Sequence, residues 1–162
     1  MSRAKIFISH QQQDSNSAIA VQSHLKQKHN IECYLDVIDP NLKRGEEIAE
    51  HVRSELNRCT HLLAIVSDAT KASWWVPWEI GVATEKDYPL ATFGTNVVLP
   101  EYLMKWPYLK SYSDLDKYAS TVSEMIITES FEKYGTLDSV TASANRSGTK
   151  QFYRSLRTKL GQ

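Results

Sequence analysis

Short apolar segments alternate with amphipathic segments along most of the chain, and this alternation predicts its secondary structure. Strands are expected where β-branched and aromatic residues are dense and turn-forming residues follow. They are predicted at residues 4–9, 31–35, 61–67 and 90–93, with a short fifth strand at 109–112. Helices are predicted over residues 15–30, from residue 46, from residue 74, over 114–133 and over 150–160, where apolar residues recur every three or four positions.

This alternation predicts an α/β fold, because strands separated by helices form parallel sheets. We expect a mostly parallel five-stranded sheet with right-handed crossovers and helices on both faces. Ligands of such sheets bind beyond the carboxyl ends of the strands. Three polar loops are predicted at that edge, over residues 9–14, 36–45 and 67–73. The sequence contains neither of the glycine-rich motifs that cradle phosphates in Rossmann and P-loop proteins, so a nucleotide site would have to be built differently.

Charge divides the chain into two unequal parts. The 162 residues include 19 basic and 19 acidic side chains, and all the acidic ones lie in residues 1–138, together with 14 of the basic ones. An acidic body argues against nucleic-acid binding. We predict a body over residues 1–133, a flexible linker rich in Ser, Thr, Gly and Ala over 134–149, and a basic C-terminal helix over 150–162. That helix is expected to dock on the body or to mediate self-association, and contact with nucleic acid or an acidic partner is the alternative. Removal of residues 146–162 is expected to leave the fold intact.

The composition also indicates a cytoplasmic protein that does not enter a membrane. Two cysteines are too few for a disulfide framework, and Cys33 and Cys59 are expected to be small buried apolar residues rather than nucleophiles. The first twenty residues lack the uninterrupted apolar run of a secretory signal. No stretch approaches the roughly 18 apolar residues that span a bilayer.

The candidate chemistry lies in an aromatic string between the third and fourth predicted strands. Three of the four tryptophans lie within residues 74–78, and Trp75 and Glu79 are four residues apart. That spacing puts the ring and the carboxylate on one face near the start of a helix. At the ligand edge of the sheet, the ring would stack on an aromatic or cationic substrate and the carboxylate would stabilise positive charge. The alternative is an aromatic packing stripe with a solvated Glu79, which a helix N-terminus also favours.

Histidine spacing does not predict a metal site. Glu47, His51 and Glu55 recur at every fourth position, but the order differs from the HExxH motif, and charged residues at this spacing normally form a solvated face. His24 and His29 are expected to be exposed helix positions.

Five short motifs, in order along the chain, resemble the bacterial type of Toll/interleukin-1 receptor (TIR) domain. They are residues 6–10 at the first strand, 34–36 closing the second, 43–45 before the second helix, 63–67 closing the third strand, and 73–79. The last matches the family pattern Ser-x-Trp-Val-x-x-Glu. The order and spacing agree over about residues 4–130, most of the chain. The resemblance implies the flavodoxin-like TIR fold, with residues 1–133 as the TIR domain.

The TIR family contains non-enzymatic adaptors as well as enzymes that cleave NAD between nicotinamide and ribose. The resemblance implies that Glu79 is the catalytic carboxylate, with Trp75 as its aromatic neighbour. It also implies a set of substrate-binding residues in two loops: Ser9, His10, Gln11 and Gln12 after the first strand, and Asp36, Lys43 and Gly45 before the second helix. For His10, a structural role is an equal alternative.

A single carboxylate suits this reaction. Cleavage builds oxocarbenium character on the ribose, which a fixed carboxylate stabilises, as in glycoside hydrolysis. Nicotinamide departs neutral from a pyridinium, so no second acid is needed. NAD is then the substrate and no cofactor is expected.

The chain resembles the stand-alone TIR proteins of bacterial anti-phage systems. This implies conversion of NAD to ADP-ribose or a cyclic ADP-ribose isomer, which acts as a messenger to a separate effector protein, and self-association through TIR surfaces. Two alternatives stay open. One is a non-enzymatic TIR interaction module that assembles through residues 36–45. The other is an enzyme like the nucleoside deoxyribosyltransferases, which also use a Glu against an oxocarbenium ion.

Overall fold

The computed structural model describes residues 3–35, 45–72, 75–135 and 142–162. Within these residues, the strands are β1 (Lys5–Ser9), β2 (Glu32–Leu35), β3 (His61–Ile65), β4 (Leu90–Phe93) and β5 (Tyr108–Leu109). The helices are α1 (Ser15–His29), α2 (Gly45–Asn57), α3 (Trp75–Glu85), α4 (Tyr112–Gly135) and α5 (Ala142–Leu160). None of the helices in this part of the chain is both long enough and apolar enough to cross a membrane.

The strands form one parallel sheet in the order β2-β1-β3-β4-β5. This is the strand order of flavodoxin-like folds, so the predicted α/β architecture is confirmed. β1 and β3 are adjacent, and Ser9 at the end of β1 is in register with Ala64. The carboxyl ends of these two strands therefore lie side by side, which brings together the loops that follow them.

Alternating side chains of the strands fill two cores, one on each face of the sheet. Ile6 and Ile8 point into a core covered by α1, α4 and α5, whereas Phe7 points into a core covered by α2 and α3. Every residue of β3 is buried, as expected for a strand covered on both faces.

The C-terminal helix belongs to the same body as the sheet. Phe152 and Leu156 are 2% and 0% exposed and lie in one core with Tyr118, whose ring meets that of Phe152 edge-on at 6.1 Å. The Tyr153 hydroxyl accepts a hydrogen bond from the backbone N–H of Leu90 in β4. Removal of residues 146–162 would open this core, which argues against the expectation that the fold stays intact without them.

The predicted linker is also too long. α4 continues to Gly135 and α5 already begins at Ala142, so much of the segment over residues 134–149 is helical. Ser, Thr and Gly are weak helix formers, which hid the start of α5 in the sequence. Packing outweighs this weakness: Thr149 is 8% exposed, and its hydroxyl donates to the carbonyl of Asp87 at 2.7 Å.

The fifth strand ends earlier than predicted. Residues 110–112 lie beyond β5, and α4 begins at Tyr112. The Ser111 hydroxyl accepts a hydrogen bond from the N–H of Asp114, and the Asp114 carboxylate accepts one from the N–H of Lys110. These bonds cap the N-terminus of α4, so residues 110–112 lead into the helix and do not extend the pairing with β4.

Candidate active site

Ser9 marks the centre of the site. It is the last residue of β1, which lies between β2 and β3, and it is fully buried. A hydroxyl at this position sits at the carboxyl edge of the sheet, where ligands of parallel α/β proteins bind. The sequence-based placement of Ser9 is consistent with this position.

Glu79, on α3, contacts Ser9. The Ser9 hydroxyl donates a hydrogen bond to Oε2 of Glu79, which is 70 residues away along the chain. Glu79 is 0% exposed. Carboxylates are almost never fully buried unless they are paired or hydrogen-bonded, so this contact is central to the site. The alternative of a solvated Glu79 is wrong.

The packing of α3 explains how a carboxylate comes to face inward. Val76, Ile80 and Ala83 are all buried, with at most 3% exposure, and they lie in the core beneath the helix. Glu79 is three residues after Val76 and four before Ala83, so it lies on the same helix face. Pro77 falls in the first turn of α3, where its missing N–H leaves no helical bond unmade.

A second link joins the loops that follow β1 and β3. The Ser67 hydroxyl donates to Oδ2 of Asp14 at 2.8 Å, and the Ser67 N–H donates to the buried Thr70 hydroxyl at 2.9 Å. Asp14 is only 9% exposed, and it precedes α1, where the helix dipole favours a negative charge. Asp14 occupies the N-cap position of α1, but its side chain binds Ser67 and makes no cap bond.

The remaining predicted residues after β1 differ in burial. His10 is 8% exposed, and its Nδ1 lies a long 3.5 Å from the carbonyl of Ile8. Gln11 is half-buried, and its Nε2 has no hydrogen-bond partner among the described residues. Gln12 is exposed in a short 3₁₀ turn over Gln12–Asp14. His10 and Gln11 thus line the buried side of this loop, and Gln12 does not.

For four predicted site residues the structure describes only the backbone or nothing. Asp36 and Lys43 lie outside the described residues. Gly45 is the first residue of α2, and Trp75 is the first residue of α3, one turn before Glu79. Trp75 and Glu79 therefore both lie in the first turns of one helix, as the sequence predicted.

The two cysteines are unsuited to nucleophilic chemistry. Burial raises the pKa of the Cys33 thiol to about 12 and that of the Cys59 thiol to about 11. Both thiols are therefore protonated at neutral pH, whereas the thiolate is the reactive form. This agrees with the expectation that both cysteines are apolar packing residues.

Comparison with known proteins places the chain in a family. Among solved structures, the chain is similar to a diflavin flavoprotein A3 from Nostoc sp., at 12% sequence identity and a TM-score of 0.46, with 99% of each chain covered. No curated protein matches the chain. The sequence profile of the TIR domain matches residues 6–121, which is more than half of the chain and includes both Ser9 and Glu79. The chain therefore belongs to the TIR domain family.

Proposed function

We propose that this TIR domain protein cleaves the nicotinamide–ribose bond of NAD and that Glu79 is its catalytic carboxylate. The observation that carries the proposal is the buried contact between Ser9 and Glu79 at the carboxyl edge of the sheet. Membership of the TIR family supports a TIR-type function in general. A carboxylate held at a ligand edge is the specific feature that favours the enzymatic branch of the family.

In the proposed reaction, the bond between ribose C1′ and the pyridinium nitrogen breaks, and its electron pair goes to the nitrogen. Nicotinamide leaves neutral, and the ribose gains oxocarbenium character that the Glu79 carboxylate stabilises. Water then adds to C1′ and loses a proton, which gives ADP-ribose. Attack on C1′ by a nucleophile of the same molecule gives a cyclic ADP-ribose isomer instead.

The Glu79→Gln variant tests the role of the carboxylate. Two unit charges 4 Å apart at an effective dielectric constant of 20 interact by about 4 kcal/mol, which corresponds to a rate loss of roughly a thousandfold. Gln keeps the shape of the side chain and an oxygen that can accept the Ser9 hydrogen bond. Glu85→Gln changes an exposed acid of the same helix and is the matched control. Nicotinamide release, followed by mass spectrometry, should fall in the first variant alone; equal turnover in both would exclude Glu79.

Ser9 is a positioning residue in this proposal, because it orients the carboxylate. A hydrogen bond to a charged group contributes about 1.5–3 kcal/mol. We therefore expect Ser9→Ala to lower kcat about 10- to 100-fold with little change in KM. A change in KM alone would indicate that Ser9 binds substrate and does not orient Glu79.

The burial of the site has a consequence for activity. Ser9 and Glu79 are both 0% exposed, so NAD reaches the carboxylate only when the groups that cover it move. We therefore expect turnover to depend on assembly, rising when the protein is concentrated or clustered on beads. Clustered protein that leaves NAD intact would refute the enzymatic proposal and favour a non-enzymatic interaction module. Base exchange on deoxynucleosides without NAD cleavage would favour a deoxyribosyltransferase-like enzyme.

The biological setting is part of the same proposal. We place the protein in the cytoplasm, where it would act without membrane or nucleic acid and supply a nucleotide messenger to a separate effector protein in anti-phage immunity. Product identification decides the reaction: ADP-ribose indicates hydrolysis, and a cyclic isomer indicates attack by a nucleophile of the same molecule.

An interaction module is the second candidate function. The segment between β4 and β5 exposes three large apolar side chains, Val98, Tyr102 and Met104, at 75%, 47% and 59%. Exposed apolar side chains close together in sequence are a common feature of protein contact surfaces. Substituting Tyr102 and Met104 by Ser should lower self-association in sedimentation experiments if this surface mediates assembly.

A further inference from the structure

A cluster of donor atoms lies where the C-terminal half of α1 meets the first turns of α4. The Nε2 atoms of His24 and His29 each lie 2.7 Å from Oδ1 of Asp116. Nζ of Lys28 lies 2.6 Å from the other carboxylate oxygen, Oδ2. The expectation that both histidines are exposed is wrong, since only 21% of each side chain's surface is accessible to solvent. None of these four residues belongs to the Ser9–Glu79 site.

The packing of the two helices holds this cluster in place. Leu25 follows His24, Leu115 precedes Asp116, and both leucines are fully buried in the same core. The His24 ring also lies 5.0 Å from the ring of Tyr112, which restricts its rotation. Donor atoms attached to such fixed backbone positions are preorganised for a shared ligand.

The donor set has the chemistry of a transition-metal site. Two ring nitrogens contact one carboxylate oxygen, an arrangement that needs either two N–H donors or a cation between the three atoms. Zinc binds His nitrogen at about 2.0–2.1 Å and carboxylate oxygen at about 2.0–2.2 Å, so donors around a tetrahedral ion lie about 3.3 Å apart. The three atoms already lie within 4.8 Å of one another, so small side-chain rotations suffice.

We propose that His24, His29 and Asp116 form a binding site for a first-row divalent transition-metal ion such as Zn²⁺, with solvent in the fourth position. Two imidazoles and one carboxylate suit zinc, cobalt or nickel better than magnesium or calcium, which prefer oxygen ligands. The ion would join α1 to α4 and so stabilise the core that α5 completes. This proposal is independent of NAD cleavage.

Lys28 gives the proposal a directional test. Its ammonium donates a hydrogen bond to the Asp116 carboxylate that the metal would use, and the ammonium and the metal cation would repel each other. If the cluster is only an ion-pair network, Lys28→Met weakens it and creates no metal affinity. If the cluster binds metal, the same change removes a competing cation, and we expect it to tighten binding about tenfold.

The experiment uses the full chain without an affinity tag. Co²⁺ is titrated and its visible absorption is followed, because four-coordinate cobalt sites absorb strongly. Zn²⁺ is then added as a competitor. We expect wild-type protein to bind both ions, His29→Gln and Asp116→Asn to lose at least tenfold in affinity, and His51→Gln to match wild type. The melting temperature should rise with Zn²⁺ only in proteins that bind it.

Two results would overturn the proposal. One is the absence of cobalt absorption and of a zinc-dependent melting shift in both wild type and Lys28→Met. The other is metal binding that persists unchanged in Asp116→Asn and His29→Gln, which would place the ion elsewhere. Circular dichroism of each variant separates loss of the ligand from loss of the fold, and the Lys28→Met result stands even where a ligand variant fails to fold.

Discussion

His61 gives the protein a built-in sensitivity to acid. It begins β3, is 1% exposed, and its Nδ1 lies 2.8 Å from the Thr60 hydroxyl, while Phe152 meets its ring edge-on at 5.3 Å. Burial lowers the pKa of His61 to about 3 from an ordinary value of 6.5. The folded protein therefore keeps this ring neutral over a range of pH in which the unfolded chain protonates it.

The sign and size of the effect follow from linkage. Below pH 6.5 the unfolded chain binds a proton that the folded protein does not, so the free energy of unfolding falls as the pH falls, until about pH 3. Each pH unit in this window is worth about 1.4 kcal/mol. Between pH 7.5 and 4.5, His61 alone should therefore cost about 3 kcal/mol of stability. Against a typical total of about 5–15 kcal/mol, this is a large share.

Urea unfolding of wild type and His61→Asn at several pH values measures this contribution. Asn is polar but does not titrate, so this variant should be less stable at pH 7.5 and lose less stability on acidification. His51→Asn on α2 is the control, since it leaves His61 in place. The reasoning is refuted if wild type and His61→Asn lose the same free energy of unfolding between pH 7.5 and 4.5.

Three further substitutions test contacts in the core and at the carboxyl edge of the sheet. Phe152→Ala should lower the free energy of unfolding by about 3–5 kcal/mol in urea titrations, because its ring fills the core beneath α5. Gly94→Ala should cost about 1–3 kcal/mol or more by the same measurement, since a Cβ would lie 2.4 Å from the carbonyl oxygen of Val66. Ser67→Ala removes the hydroxyl that donates to Asp14 and should cost about 1–3 kcal/mol in melting experiments at pH 7, with a smaller loss in the double variant Ser67→Ala, Asp14→Ala.

The sheet could be predicted from the sequence because its strands carry strong local patterns. β4 begins and ends where the apolar run at residues 90–93 predicts, and β1 differs from the prediction by one residue. The failures lie where tertiary contacts decide. The start of α5 was missed because its first turns contain weak helix formers, and its attachment to the body depends on a core that only the folded chain assembles.

The candidate site divides in the same way. The spacing of Trp75 and Glu79 drew attention to this carboxylate, but the sequence left open a solvated Glu79, whereas the side chain is fully buried. Val76 and Ala83 carried the missing signal, since apolar residues three before and four after Glu79 place it on the buried face. The contact with Ser9 joins residues 70 positions apart, and no local pattern specifies such a pair.

The histidine cluster shows a different limit of pattern reading. His24 and His29 are five residues apart, which on a regular helix points their side chains well away from each other. Both side chains nevertheless reach one carboxylate on α4. Motif searches look for ligands on one element at a fixed spacing, so a site completed by another helix escapes them.

The links at the sheet edge bear on how the proposed enzyme would be controlled. Ser9 with Glu79, and Ser67 with Asp14, join the end of β1 to the segment after β3, and three of these residues have at most 9% exposure. Hydrogen bonds of this kind are strongest where water is excluded, so the closed site holds its carboxylate firmly. Opening the site to NAD admits water and weakens the contact that orients Glu79. A protein built in this way needs new contacts to hold the open carboxylate, and a second copy or a partner is the natural source of them, which favours activation by assembly over constitutive cleavage.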